Sequence, residues 1–459
     1  MTAARTDTVD VVVLGLGPGG EYAANKLASA GLDVVGVDEL LVGGECPFFG
    51  CTPSKLMIRG ADVVAEARRV EGLGGQAQVR PDWRTVAERV AKATNDWHDH
   101  GHVERLEKAG VRIVRGSGRL DGPGRVLVEG DAGTVELIAR KGVVLGTGTR
   151  PSVPPIDGLA GTPFWTNREV VRLTELPDSL VVIGGGPIGC ELTQAFARFG
   201  VDVTLLEMAD RVMAPEEPET SDLIEQVLVG DGVDVHTGVQ IERVQHDGSF
   251  TVHLSDGRNF ESDALLVSAG RHPNLDRVGL ETVGLDPDAS TIDTDERMRA
   301  AERLWAVGDV TGKGAFTHVS RYQAVAVVRD ILDRDGPWAE YHSVSRVTFT
   351  DPEVGSVGLT EQQAREAGLN VVTGLAQVDK SSRGWIHGDD TVGLIKVVAD
   401  ADRGILVGAS AVAPYGGEVL GLLAAAVHAR TPIATLRGMH FAYLTFHRTI
   451  QSALNDLGL

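Results

Sequence analysis

The chain has 459 residues, 42% of them hydrophobic and 23% charged; this is an ordinary globular composition with length for about three domains. A formal charge of −21 excludes nonspecific nucleic-acid binding, which needs a basic face, and no apolar run approaches the ~20 residues of a membrane span. Residues 1–10 are polar and the chain holds only three cysteines, which points to a reducing compartment, a cytoplasmic protein and small-molecule partners.

Residues 9–14 read as a buried strand that runs into a glycine turn at Gly15, Gly17 and Gly20, then a helix over 21–30 and a second strand over 33–38 that ends in Asp38. Gly15 permits the turn, Gly17 lets a pyrophosphate approach the backbone, Gly20 lets helix and strand pack closely, and Asp38 can accept a ribose hydroxyl. A dinucleotide site is expected there.

Cys46 and Cys51 follow, on a loop that opens with Gly43 and Gly44. Cys51 stands where a helix begins, since Pro53 suits a first turn and 55–67 has helical composition; the helix dipole favours a thiolate at that end. Cys46, on the glycine-rich loop, is freer to meet a substrate. Next to a nucleotide-binding unit the pair reads as a redox disulfide; a structural disulfide, a metal site and two inert thiols are the alternatives. A metal site wants four ligands, and Cys190 is the one other sulfur of this kind.

The nucleotide pattern recurs at 179–189, where a strand leads into Gly184, Gly186 and Gly189, then a helix over 190–199 and a strand over 202–207 that ends in Glu207. Two copies imply two dinucleotides. Glu207 suits a free 2′-hydroxyl and repels a 2′-phosphate, so NADH is expected over NADPH, with Arg211 close enough to temper the preference. Cys190, on that helix, reads as a packed core residue. Towards the C-terminus, 344–358 and 393–412 alternate apolar and polar residues as strands do, and 417–428 has helical periodicity.

With the further segments GTGTRP (146–151), AGRHPN (269–274), WAVGD (305–309) and FTDPEV (349–354), the chain resembles the class I pyridine nucleotide-disulfide oxidoreductases: dihydrolipoamide dehydrogenase, glutathione and mycothione reductases, and mercuric reductase. The likeness extends from about Val9 to Leu454. It implies an α/β fold with two Rossmann-like dinucleotide-binding domains, for FAD and NAD, plus a C-terminal α+β dimerisation domain. The implied boundaries are 1–152 (FAD, first part), 153–271 (NAD(P)), 272–341 (FAD-binding central segment) and 342–459 (dimerisation), with Pro151, Pro154 and Pro155 at a crossover. It also implies a homodimer whose active sites combine two subunits.

By the same resemblance Asp309 binds the FAD ribityl chain, Lys55 sits by the reactive flavin nitrogen with Glu191 as its partner, and further cofactor contacts fall to Gly44, Thr147, Gly148, Gly270, Arg271, Gly308, Thr317 and His318. Electrons pass from NADH through FAD to Cys51, the charge-transfer thiol, and on to Cys46, the interchange thiol.

The pattern breaks near the C-terminus. Family members that act on disulfides end in His-Pro-Thr-x-x-Glu; counted without gaps, the His-Pro-Thr slot here is Tyr443, Leu444 and Thr445, and the glutamate slot is Arg448. A tyrosine titrating near ~10 is a poor base at neutral pH beside a histidine near ~6.5. Tyr-Leu-Thr resembles mercuric reductase, but no cysteine follows Cys190 to hand over a metal. A four-residue shift would make His447 the proton carrier, and if that stretch is helical it shares a face with Tyr443; an interface role for His447 or His440 is the plain alternative, and His318, by family analogy at the start of a helix aimed at the flavin, is a polar contact, an alternative carrier or a capping-region residue. Glu45 stands where relatives have threonine, and Pro47, Phe48 and Phe49 make the redox loop bulky.

The leading expectation is an FAD-dependent NADH oxidoreductase that cycles Cys46 and Cys51 against a small thiol or disulfide, as dihydrolipoamide dehydrogenase does. The alternatives are a mercuric-reductase-like enzyme or a reductase of quinones or other acceptors, and a noncatalytic redox sensor.

Overall fold

The computed structural model describes residues 5–131 and 133–459, which form two compact units: one of residues 5–53, 89–131, 133–152 and 271–341, the other of 54–88, 153–270 and 342–459. The first is built on the strand Arg5–Leu14, which pairs in parallel with Val34–Asp38 on one side and Gly133–Leu145 on the other. Val111–Arg115 extends the sheet beyond Val34–Asp38, and Leu304–Ala306 extends it beyond Gly133–Leu145. Strand residues alternate between two cores: Val11 and Val13 meet the helices Pro18–Ser29 and Thr317–Ile331, while Val12 and Leu14 pack with Val126, Val128 and Leu280 on the other face. Period-two alternation thus buries both faces of a parallel sheet.

The second unit repeats the design with Ser179–Ile183 central to the parallel order Asp234–His236, Asp202–Leu206, Ser179–Ile183, Ala264–Val267. It also holds the five-stranded antiparallel sheet Ser345–Thr348, Glu353–Gly358, Ile405–Ala413, Leu394–Asp400, Val371–Gln377. Helices Gly416–His428 and His447–Asp456 share a core with that sheet. These are the α/β layers and the α+β C-terminal part expected of the chain. No helix among the described residues is long and apolar enough to cross a membrane.

Three local differences from the sequence reading have physical causes. The two nucleotide-site helices begin earlier than expected, at Pro18 and Pro187, because proline fits a first helical turn and the glycines after it are tolerated inside that turn. Tyr443 is not helical: Leu444 takes φ +67°, so the helix starts only at His447, and the shared face expected for 443 and 447 does not form.

Candidate active site

In the first unit, Gly15 has φ +92°, and a Cβ there would lie 2.4 Å from the Gly146 carbonyl oxygen; one on Gly20 would lie 1.9 Å from the oxygen of Gly15. Gly17, the cap of the helix Pro18–Ser29, instead faces open space. A backbone pinned on two sides and bare on the third, at a helix N-terminus, fits a pyrophosphate. Asp38 closes the next strand and accepts from the N–H groups of Leu16 (2.8 Å) and Leu40 (2.9 Å). Burial raises its pKa, against the pull of those two donors.

The redox loop crosses this cradle. A Cβ on Gly44 (φ +70°) would meet the Gly17 Cα at 2.9 Å. Gly44 caps the short helix Glu45–Phe48 that carries Cys46, and Phe49 and Gly50 both donate N–H to the Glu45 carbonyl. Cys51, exposed, opens the 18-residue helix Cys51–Arg68, with its Sγ 3.5 Å from Thr317 Oγ1. Thr317 itself begins the helix Thr317–Ile331, and the exposed His318 ring stacks on Phe316 at 5.4 Å. Asp309 follows Gly308 (φ +81°) and accepts from the Thr149 hydroxyl at 2.6 Å. Arg271 donates to Thr149 through Nε at 2.6 Å and pairs through Nη2 with Glu45 at 3.3 Å. Thr147 and Gly148 are clipped by Asn274, whose amide donates to the Thr147 carbonyl and whose backbone N–H donates to that of Gly148, both at 2.9 Å.

In the second unit, Gly184 (φ +108°) and Gly189 repeat the pinned cradle; a Cβ on Gly189 would sit 1.9 Å from the Gly184 oxygen, while Gly186 faces open space. Glu207 accepts from Gly185 N at 2.5 Å and Ala209 N at 2.7 Å. Arg211 spends its Nη2 on the Ala214 carbonyl at 2.7 Å. Gly270 takes φ +96°. Cys190 is fully buried, its Sγ 3.2 Å from the Gly185 oxygen, and burial raises its pKa strongly, so it packs rather than reacts.

Lys55 and Glu191 meet: Nζ lies 2.7 Å from Oε2 of a carboxylate whose side chain is 4% exposed. The other oxygen of Glu191 accepts the Phe349 N–H at 2.8 Å, and the Phe349 ring lies 4.9 Å from Lys55 Nζ. The pair tops a ladder. Gln194 exchanges two hydrogen bonds with the backbone of Asp351 (2.7 and 3.0 Å), and buried Arg198 binds Asp351, Asp231 and Asp62 at 2.9–3.0 Å. Arg69 also pairs with Asp351. Burial pushes the Asp62 carboxyl up to about 7, with Arg198 opposing. Asp351 is held below its ordinary value although burial works the other way, because Arg198 and Arg69 flank it.

Tyr443 is exposed in the turn before His447–Asp456; its hydroxyl donates to Ser382 Oγ at 3.4 Å and Arg448 lies over its ring at 5.1 Å. Tyr443 and Arg448 thus face each other as a cation on a ring. His447 is half-buried on the helix's first turn. Phe349, Thr149 and the Arg271 partner of Glu45 were not foreseen. Phe349 stood in a quoted motif, but nothing in a linear sequence brings 349 to 55.

Residues 9–324 match the family model for pyridine nucleotide-disulphide oxidoreductases, and residues 344–454 match that of their dimerisation domain. The dihydrolipoyl dehydrogenase of Halobacterium salinarum is 34% identical, with 98% of this chain and 96% of that one covered. A mercuric reductase of Staphylococcus aureus is 30% identical, covering 98% and 82%. Among solved structures, the Cu(II) complex of the HOCl-induced flavoprotein disulfide reductase RclA from Escherichia coli aligns with TM-score 0.85 and 28% identity over 98% of this chain and 99% of that one. LpdA from Mycobacterium tuberculosis aligns with TM-score 0.86 and 25% identity over 99% and 100%. The chain belongs to the pyridine nucleotide-disulphide oxidoreductases, as an FAD- and NAD(P)-binding enzyme of the lipoamide dehydrogenase and mercuric reductase type.

Proposed function

We propose that this enzyme uses a Cys46–Cys51 disulfide to move two electrons between NADH and a small thiol or disulfide, with Tyr443 rather than histidine at the acceptor. The observation that carries the proposal is Cys51 at the open end of an 18-residue helix, its Sγ 3.5 Å from the Thr317 hydroxyl, with Cys46 on the short helix before it. FAD, held by the residues around Gly15, Gly17, Gly20, Asp38, Gly44, Thr147, Gly148, Gly308 and Asp309, and the nicotinamide dinucleotide, held around Gly184, Gly186, Gly189 and Glu207, supply the hydride and electron chemistry when bound. The helix end stabilises negative charge on Cys51 Sγ, and Thr317 can donate to it. Glu191 fixes the Lys55 ammonium through one oxygen and the Phe349 backbone through the other, so the cation keeps its position through a cycle. Cys46, half-buried on a four-residue helix, is the sulfur placed to exchange with substrate.

NADH is favoured over NADPH because Glu207 would repel a 2′-phosphate, and Arg211, four positions on, already serves a carbonyl. The proposal keeps the boundaries 1–152, 153–271, 272–341 and 342–459, a homodimer through the last of them, and a cytoplasmic setting.

A second reading, a metal ion or quinone as acceptor, is favoured by the Tyr443–Arg448 pair, which offers no neutral-pH base for a thiol. The mercuric reductase relatives and the copper complex of RclA support it. A noncatalytic sensor is the weakest reading. Anaerobic titration with NADH should produce a two-electron-reduced form with new thiols at 46 and 51, by alkylation and mass mapping. Flavin reduction without those thiols would refute the disulfide. An acceptor panel of lipoamide, low-molecular-weight disulfides, quinones and Cu(II) then separates the two readings, and acceptor reduction retained in Cys46→Ser would favour the second.

A further inference from the structure

The redox loop is gripped from a segment with no assigned role. After the helix Trp83–Ala93 the chain places three consecutive non-glycine residues in the left-handed region: Asn95 (φ +52°), Asp96 (φ +50°) and Trp97 (φ +56°). Asparagine and aspartate tolerate that conformation, tryptophan does not, and such a run persists only where the surroundings fix it. The turn directs the indole N–H of Trp97 to the carbonyl of Phe48, 2.9 Å away, between the two cysteines. Two residues on, Asp99 Oδ2 accepts the Val42 N–H at 2.6 Å and the Arg115 guanidinium at 2.5 Å. The His102 ring then packs on Phe48, centroids 5.5 Å apart, and lies so close to Gly43 that a Cβ there would touch it at 2.9 Å. Phe48 is left 2% exposed. The main chain is thus pinned on both sides of Cys46, at Val42 and at Phe48.

We infer that Trp97 and Asp99 are positioning residues for the Cys46–Cys51 couple, holding the loop so that the closed disulfide is favoured over the open dithiol. The inference rests on the proposed disulfide. Reduction breaks one S–S bond and forms two S–H groups, taking two electrons and two protons from a dithiol such as dithiothreitol, which is oxidised to its cyclic disulfide. The entropy lost on closing the ring depends on how much chain between the sulfurs is free. With the Phe48 carbonyl held, only Phe49 and Gly50 separate Cys51 from a fixed point. Releasing Phe48 roughly doubles the free chain, which lowers the closing constant about threefold.

The test is a redox titration of the flavin-loaded enzyme against dithiothreitol and its cyclic disulfide, with acid quenching, alkylation and mass measurement of the 46–51 peptide. Trp97→Phe keeps the ring and removes the N–H; its closing constant should fall about threefold or more while flavin content and melting temperature stay near those of the parent. A folded Trp97→Phe enzyme with the parent's constant overturns the inference. If that variant is not recovered folded, Asp99→Ser, which releases Val42, must lower the constant in the same direction, and an unchanged constant there overturns it equally. A parent enzyme that shows no 46–51 disulfide when fully oxidised refutes the reading on which the inference stands, and is told apart by needing no variant.

Discussion

The Lys55–Glu191 pair makes an asymmetric prediction, because its two members are buried to different degrees. Glu191 is 4% exposed and holds Lys55 at 2.7 Å through one oxygen and the Phe349 N–H at 2.8 Å through the other. Lys55 is 34% exposed and also has the Ser54 hydroxyl at 3.3 Å. Lys55→Met leaves a buried carboxylate with one backbone donor, a loss of about 3–5 kcal/mol. Glu191→Gln keeps an oxygen for Phe349 and leaves a lysine that can reach water, a loss of about 1–2 kcal/mol. The double variant strands no charge and should cost less than Lys55→Met alone. Urea titration of the flavin-loaded enzyme, followed by near-ultraviolet circular dichroism at neutral pH, reads all three. If Glu191→Gln costs as much as Lys55→Met, or the double variant costs the sum of the two, the carboxylate does not depend on this lysine and the reasoning fails.

Asp62, raised from an ordinary 3.8 to about 7, binds its proton more tightly folded than unfolded. Its stabilising contribution is therefore complete below about pH 4 and is lost as pH rises through 7, so Asp62→Asn should flatten the fall in stability between about pH 4 and 7, measured by urea midpoints. Gly189→Ala, whose Cβ would meet an oxygen at 1.9 Å, should lower the melting temperature, whereas Gly186→Ala, facing open space, should leave it unchanged and weaken NADH binding at least about tenfold by calorimetry. Tyr443→His, with Arg448→Glu to restore the dyad, should raise lipoamide turnover and give it a pH profile with a limb near ~6.5; a flat profile would show that the proton is carried elsewhere.

Where function demanded a particular backbone, the chain was legible. Gly15, Gly20, Gly184 and Gly189 are glycines because any Cβ would strike a carbonyl within three ångströms, and such a constraint is written in residue type and spacing alone. The alternating strands were readable for the same reason: burial of one face repeats every second residue. What stayed hidden depends on contacts across long stretches of chain. Glu45 stood out as unusual, but its partner Arg271 lies 226 positions away. Trp97 gave no signal, because a left-handed run at Asn95, Asp96 and Trp97 is imposed by what surrounds it rather than by propensity. Whether Tyr443 and His447 share a helical face turned on one residue, Leu444, whose φ of +67° no periodicity reports.

Burial is distributed unevenly between the surroundings of Glu191 and those of Tyr443. Glu191, Gln194 and Arg198 are each at most 4% exposed, Glu191 bound to Lys55 and the Phe349 N–H, and Gln194 and Arg198 sharing Asp231 and Asp351, so replacing any of them strands a buried polar group at a cost of several kcal/mol. Tyr443 is 65% exposed in the single chain, and replacing it strands no buried polar group there. The stability of this chain therefore constrains the residues around Glu191 more tightly than it constrains Tyr443. On the function proposed here, the acceptor is therefore to be read from Tyr443 and Arg448, a phenol under a guanidinium.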